Sequence, residues 1–203
     1  MVIRQMDVGD LDGVVALQRA CFPPPFPEEL LWQRSHLERH IAIFPEGQFV
    51  ADTGGLITGS ASSCLVSESN WQAHLSWDDT VGGPLIANHD PEGSTLFALD
   101  VSVHPEFRRQ GIARQLYQAR MDLVRSLGLR RLGAPCRIPG FHIWNASTGG
   151  TALDYATLVA EGALEDRTMT PLLRLGLQFE GVIENHMEDA ESGNAAAIMT
   201  WTP

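Results

Sequence analysis

The segment from Leu99 to Arg114 constrains the fold of this chain more than any other stretch of its 203 residues. Its first part alternates apolar Leu99, Val101 and Val103 with polar residues, which is the period of a β-strand. After a turn, apolar residues recur every three to four positions, as on one face of an amphipathic helix. These residues are Ile112, Leu116, Ala119, Leu123, Val124 and Leu127. Gly128 then predicts the end of the helix, because glycine readily adopts the left-handed conformation.

The turn between this strand and this helix has the composition of an anion site. Gly111 has no Cβ, so a ligand can approach the backbone closely there. The first turn of the following helix presents unpaired N–H groups and the positive end of the helix dipole. Arg108, Arg109 and Arg114 flank these amides, and a guanidinium matches phosphate oxygens with a planar fork. The turn therefore predicts a pyrophosphate site. In the alternative, Gly111 only permits a tight turn and the arginines form a solvated rim.

The spacing of this turn is an arginine, two residues, a glycine, one residue and an alanine. It resembles the acyl-coenzyme A signature of the GNAT family of N-acetyltransferases, Arg/Gln-x-x-Gly-x-Gly/Ala, which also follows a strand and opens a helix. The resemblance implies an enzyme that transfers an acetyl group from acetyl-CoA, its cofactor, to an amine by direct attack and without a metal. The implied cofactor-binding residues are Val101, Ser102, Val103, Arg108, Arg109, Gln110, Gly111, Ile112, Ala113 and Arg114.

The order of predicted elements along the chain, β-α-α-β-β-β-α-β-α-β-β, resembles the same family. It includes a helix from Glu28 to about Ile41 and a helix near Thr170–Leu175. The implied fold class is α/β (α+β), the GNAT fold, with a mixed central β-sheet, a splayed strand pair and helices on both faces. We expect a single domain over residues 1–203, with insertions near 67–95 and 143–168.

Net charge, apolar run length and cysteine content limit the kinds of partner that this chain can have. A net charge of −11 argues against nucleic acid and favours a cationic amine as the acceptor, either a small molecule or a peptide. No apolar stretch is long enough to cross a bilayer, and the N-terminus lacks a secretory pattern, so we expect a cytoplasmic protein without a membrane partner. Cys21, Cys64 and Cys136 are odd in number and far apart, which indicates neither a disulfide framework nor a metal site. Exposed edges on the last two strands leave a homodimer open.

One histidine pair also has the spacing of metal ligands. His36 and His40 lie four residues apart on the second predicted helix, in the segment HLERH. The segment lacks the catalytic glutamate position of a zinc protease and has no evident third ligand. We therefore expect a solvated helix face and no metal site.

The resemblance to the family breaks down at the residues that perform the reaction. Many members carry a tyrosine acid in the last helix, and aligning the pair Gly176-Leu177 puts Leu172 at that position. The strand glutamate that some members use as a base falls near Phe97. Asp100 is the nearest carboxylate, and burial at a strand centre raises a carboxyl pKa, as a base requires. The alternative role of Asp100 is to hydrogen-bond the backbone across the splay.

Two further residues are candidates for catalysis. Histidine suits proton transfer near neutral pH, and His142 follows a Pro139-Gly140 turn after the strand that borders the family's acceptor cleft. Tyr155 can reach the same cleft from the second predicted insertion. The alternatives are a packing or loop-ordering role for His142 and an amphipathic surface aromatic for Tyr155.

A closer resemblance lies in three short segments. HDPEG before the signature strand, RIPGFH after the next strand and the closing WTP are similar to the GNAT domains associated with nitrilase-type carbon-nitrogen hydrolases. That resemblance implies no particular acceptor. Because the usual tyrosine and glutamate are missing, the alternative function is a non-catalytic acyl-CoA-binding sensor or partner module. A simple hydrolase finds little support, since no Gly-x-Ser-x-Gly elbow is present.

Overall fold

The computed structural model describes residues 1–24 and 26–203 of the chain. Its strands are β1 (Val2–Gln5), β2 (Phe49–Thr53), β3 (Leu56–Val66), β4 (Thr95–Val103), β5 (Arg131–Arg137), β6 (Gln178–Ile183) and β7 (Ala196–Trp201). The α-helices of the described residues are α1 (Leu11–Cys21), α2 (Arg34–Ile43), α3 (Glu68–Gln72), α4 (Trp77–Val81), α5 (Ile112–Leu127), α6 (Phe141–Thr148), α7 (Ala152–Ala160) and α8 (Met169–Arg174).

All seven strands belong to one mixed sheet in the order β1-β2-β3-β4-β5-β7-β6. β4 and β5 run parallel, whereas the other neighbours run antiparallel. On one face, α1 to α4 bury apolar side chains against β2, β3 and β4. On the other face, α5 to α8 pack over the middle of the sheet and over β7. The predicted mixed sheet with helices on both faces is confirmed.

The parallel pair β4 and β5 separates along its length. The two strands pair only where Thr95–Phe97 lies beside Arg131–Gly133. Beyond these residues β4 continues to Val103 and β5 to Arg137, but no further pairing joins them. The predicted splay is confirmed, and it opens a gap in the centre of the sheet toward the C-terminal ends of both strands.

The predicted helix from Glu28 to about Ile41 is wrong in its first half. Glu28–Leu30 forms one 3-10 turn, after which Leu31 is extended with ψ of 151°. α2 begins only after Gln33, whose backbone N–H donates to His36 Nδ1 at 3.2 Å in a capping box. Apolar residues at helical spacing continue through the break, because the extended residues between the two helices also turn into the core.

The two predicted insertions form helices that pack on the same sheet. Residues near 67–95 contain α3 and α4, and residues 143–168 contain α7 and most of α6. Trp71 of α3 lies so close to Gly133 of β5 that a Cβ there would meet the indole at 2.4 Å. Glu68 of α3 pairs with Arg131 at 2.7 Å. In the described part of the chain, no helix is long and apolar enough to cross a membrane.

Candidate active site

The predicted pyrophosphate turn presents open backbone at the start of α5. Gly111 precedes the helix with a φ of 81°, and a Cβ at this position would meet no atom within 4 Å. Within the described residues, no side chain caps the first turn of α5. The first helical bond joins Gln115 N–H to the Gly111 carbonyl, so the N–H groups of residues 112–114 have no partner within the helix. These amides form an open anion site.

Three guanidinium groups surround that turn. Arg108, Arg109 and Arg114 are exposed, and none of them pairs with a carboxylate in the part of the chain that is described. Arg108 Nε donates to the carbonyl of Val103 at 3.3 Å, which ties the turn to the end of β4. Gln110 and Ala113 are also exposed, while Ile112 is buried and packs under the helix. The turn thus combines free amides with unpaired cations, as a diphosphate requires.

The gap between β4 and β5 continues from this turn into the sheet. Val101, Ser102 and Val103 pair with Gly59–Ala61 of β3 along one edge of β4. Among the described residues, no strand pairs with the opposite edge, which faces the gap. An extended arm such as pantetheine can hydrogen-bond such an edge as an added strand does. The predicted strand residues therefore lie along an open strand edge.

A β-bulge changes which face the residues of β4 present. Ser62 lies opposite Asp100 and Ser63 opposite Ala98, so Leu99 is the extra residue. Leu99 packs into the clusters under α1 to α4, whereas Val101 packs under α5. The alternation in the sequence predicts one face for both residues, and the bulge makes that prediction wrong. As a consequence, the neighbours Leu99 and Asp100 both face α1.

The Asp100 carboxylate is half-buried and held by two side chains. Gln18 Nε2 of α1 donates to Asp100 Oδ2 at 3.0 Å and to Ser102 Oγ at 2.8 Å. Ser102 Oγ in turn donates to Asp100 Oδ2 at 3.1 Å. Burial raises the pKa of Asp100 above its ordinary value of 3.8, although Arg120, Ser102 and Gln18 oppose that effect. Asp100 is therefore a stronger proton acceptor than an exposed aspartate.

His142 lies apart from this network, in the first turn of α6. Its ring is exposed, and Nδ1 is 3.1 Å from the carbonyl oxygens of both Pro139 and Glu191. A neutral ring that donates from Nδ1 keeps the lone pair on Nε2, so Nε2 is the atom able to accept a proton. His142 thus joins α6 to the loop before β7.

Tyr155 lies in the core rather than in the cleft. Its side chain is 3% exposed, and its hydroxyl donates to Asp166 Oδ2 at 2.9 Å. Asp166 also accepts backbone N–H groups of Gly140 and Met169, so this hydroxyl completes a network that holds α6 to α8. Leu172, at the position of the family's tyrosine acid, is buried in α8. The structure therefore does not bring Tyr155 together with Asp100.

Two tryptophans pack beside β4 near Asp100, on the face covered by α1 to α4. Trp32, between α1 and α2, and Trp77 of α4 have ring centres 6.1 Å apart. Trp32 also lies close enough to Asp100 to oppose the rise in its pKa, and so favours the charged carboxylate. The backbone N–H of Trp77 donates to the backbone carbonyl of His186 at 2.7 Å, which ties α4 to the loop between β6 and β7. We call Trp32 and Trp77 the indole wall.

Sequence reasoning misses Gln18 and Arg120, which both contact the bulge from a neighbouring helix. Gln18 reaches Asp100 across 82 residues of sequence, and no local pattern indicates that contact. Arg120 carries a local signal, because it lies four residues after Leu116 and four before Val124 on the apolar stripe of α5. A charged residue on a buried stripe indicates a polar contact in the core.

Two histidines behind the indole wall should make the fold sensitive to acid. His40 is completely buried, which contradicts the solvated helix face expected from the sequence, and its ring centre is 4.9 Å from that of Trp32. Burial lowers the pKa of both His40 and His186 to about 4 from the ordinary 6.5. The unfolded chain binds protons between these values and the folded chain does not, so stability should fall as the pH drops from 6.5 to 4.

Urea unfolding at a series of pH values measures this loss. Each histidine contributes a slope of at most about 1.4 kcal/mol per pH unit. His40→Gln should reduce the slope below pH 6.5. The prediction fails if wild type and variant lose stability in parallel across that range.

Comparisons with known proteins agree with this geometry. The profile of the acetyltransferase (GNAT) family matches residues 11–142. The chain is 35% identical over 201 residues to the uncharacterized N-acetyltransferase YkwB of Bacillus subtilis, covering 99% of this chain and 88% of that protein. It is also 35% identical over 202 residues to the probable hydrolase YhcX of the same organism, of which it covers only 38%.

A solved structure extends the likeness to the whole fold. The GphF GNAT-like decarboxylase in complex with isobutyryl-CoA superposes with a TM-score of 0.83 at 24% identity, covering 100% of this chain and 99% of that one. At this identity the match shows a shared fold and nothing more. Membership of the family is shown by the family profile and by the similarity to YkwB. This chain belongs to the acetyltransferase (GNAT) family.

Proposed function

We propose that this acetyltransferase binds acetyl-CoA in the gap between β4 and β5 and transfers the acetyl group to an amine that approaches from the α1 side. The splay carries the proposal, because it joins an anion site at Gly111 to the carboxylate of Asp100 through a single opening in the sheet. The backbone of residues 101–103 would hold the pantetheine arm. Arg108, Arg109, Arg114 and the first amides of α5 would hold the pyrophosphate.

The chemistry needs one proton acceptor beside the thioester. The amine nitrogen attacks the carbonyl carbon, the carbon–sulfur bond breaks, and its electron pair stays on sulfur as a thiolate. Asp100 would take the proton that the nitrogen sheds, since its pKa is raised and Gln18 and Ser102 fix its orientation. N–H groups on the free edge of β4 are available to the carbonyl oxygen. His142 is the second candidate base, through Nε2.

The acceptor would be a cationic amine, either a small molecule or a peptide. The chain carries a net charge of −11, and the carboxylate of Asp100 lies at the inner end of the acceptor approach. The partly exposed ring of Trp77, in the indole wall, would contact an ammonium group on this side of the sheet. These features support an amine with a compact head group.

Three further expectations from the sequence also belong to this proposal. We take residues 1–203 as one domain, because both helical segments of residues 67–95 and 143–168 pack on one sheet. The likeness to the probable hydrolase YhcX supports the association with nitrilase-type hydrolases, so the chain would act beside such an enzyme.

A homodimer would form through β6, the edge strand, because β7 has partners on both sides.

Calorimetry with acetyl-CoA, followed by a thiol-release assay with pooled amines, tests the proposal. Binding together with amine-dependent release is the expected result, and acetyl-CoA without amine is the control for hydrolysis. Binding without release from a broad amine panel favours the alternative, a non-catalytic acyl-CoA-binding module. That alternative is supported by Leu172 and Phe97 at the positions of the family's acid and base. Absence of binding overturns both functions.

A further inference from the structure

The departing CoA thiolate lacks its usual partner in this protein. Leu172 replaces the tyrosine that protonates the sulfur in many relatives, and it is buried in α8. The chain has two tyrosines. Because the hydroxyl of Tyr155 is bound to Asp166 in the core, Tyr117 is the other phenol that the chain offers.

Tyr117 lies under the gap in the sheet. It is six residues after Gly111, which corresponds to about 9 Å along the axis of α5 from the proposed pyrophosphate site. Its ring is 5% exposed and belongs to the core cluster that includes Ala134 and Cys136, against which Ala98 also packs. These three strand residues follow the last residues at which β4 and β5 pair. The ring therefore lies on the α5 side of the splay.

Arg120 places a positive charge beside that ring. The residue is completely buried, and its donors reach neutral groups at the bulge. Nε donates to Ser63 Oγ at 3.1 Å. Nη2 donates to the backbone carbonyl of Ser62 at 2.7 Å and to that of Asp100. Nη1 has no partner among the described residues. The guanidinium carbon is 5.1 Å from the centre of the Tyr117 ring. The guanidinium and the phenol therefore interact directly, and the charge of Arg120 opposes the rise in the pKa of Tyr117.

We propose that the Tyr117 hydroxyl donates a hydrogen bond to the sulfur of CoA as the thiolate forms, and that Arg120 supplies the buried positive charge that stabilises this thiolate. The proposal rests on the proposed acetyl transfer. The electron pair of the broken carbon–sulfur bond goes to sulfur, and the phenol keeps its proton. The thiolate takes a proton from water after it leaves the cleft. Tyr117 is then a catalytic residue, and Arg120 stabilises the same charge from the helix.

The charges around Tyr117 fit a donor that stays protonated. Three titratable groups face it: Arg120 from its own helix, Cys136 from β5 and Asp100 from β4. Burial, supported by Cys136 and Asp100, raises the pKa of Tyr117 to about 12 against the opposing charge of Arg120. Burial also raises the pKa of the Cys136 thiol, which keeps that neighbour neutral. The phenol therefore donates at neutral pH without ionising.

The test compares binding of CoA with binding of desulfo-CoA, by calorimetry from neutral to mildly alkaline pH. In the wild type the CoA thiol should have a lower pKa in the complex than in water, so the preference for CoA over desulfo-CoA should increase with pH. Tyr117→Phe keeps the ring and should reduce that preference about tenfold, the effect expected for one hydrogen bond to a charged group. Tyr155→Phe removes a hydroxyl of similar burial elsewhere and should leave the preference unchanged.

Arg120→Gln is the second variant, in case Tyr117→Phe repacks the core. It should also raise the pKa of the CoA thiol in the complex above the wild-type value. Equal preference in the wild type and in both variants overturns the proposal and leaves acetyl-CoA binding intact. Failure of the wild type to bind CoA at all overturns the proposed function together with this inference.

Discussion

Replacing Gly111 by aspartate is expected to remove acetyl-CoA binding at concentrations that saturate the wild type. The aspartate would stand at the N-terminus of α5, among the amides that are to receive the pyrophosphate. Its charge would repel the diphosphate at close range, which is worth roughly 4 kcal/mol at an effective dielectric constant near 20. The expected loss of affinity is about a thousandfold, measured by calorimetry.

A neutral side chain of the same shape separates the effect of charge at Gly111 from the effect of bulk. Aspartate and asparagine both tolerate a positive φ, and nothing lies within 4 Å of a Cβ at Gly111, so the fold should survive either change. Gly111→Asn is the neutral control and should lose only about tenfold in affinity, because its cost is closer to that of a lost hydrogen bond. Gly128→Asn places the same residue at the other end of α5, where φ is 64°, and should bind normally. Equal affinities of Gly111→Asp and Gly111→Asn would contradict an anion site here.

The turn at Gly111 is predictable because one local pattern decides it. Strand alternation, an arginine-rich turn and an apolar stripe along the 16-residue helix that begins at Ile112 all agree over one continuous segment. Leu31 and Trp32 show where local patterns fail. Their spacing continues that of the helix, yet an extended backbone also buries them, and only the Gln33 capping box marks the true start of α2.

The chemical part of the site depends on contacts between distant segments. The sequence identifies Asp100 as a carboxylate on a strand, but the bulge at Leu99 decides which face it presents. The alternating pattern does not reveal the bulge, because the alternation begins only at Leu99 and the residues before it, Leu96–Ala98, are all apolar. Gln18 and Arg120, which hold the two sides of this bulge, lie on helices whose packing is settled only in the folded chain.

The second large effect is expected at Asp100. Asp100→Asn should reduce kcat of amine-dependent thiol release by about a hundredfold or more, the usual contribution of a general base. Asparagine has nearly the shape of aspartate and can still bond Gln18 and Ser102, so acetyl-CoA affinity should stay near that of the wild type. Calorimetry on the same sample checks that cofactor binding is intact.

The pH profile identifies which group acts as the base. Asp100 must be ionised to accept a proton, and burial raises its pKa above 3.8, so wild-type activity should fall as the pH drops through that raised pKa. This acid limb should disappear in Asp100→Asn. His142→Gln is the matched variant at the other candidate base and should keep the limb. If Asp100→Asn keeps the wild-type rate while His142→Gln loses both rate and limb, the base is His142, and the network of Gln18, Ser102 and Asp100 serves to hold α1 against the splay.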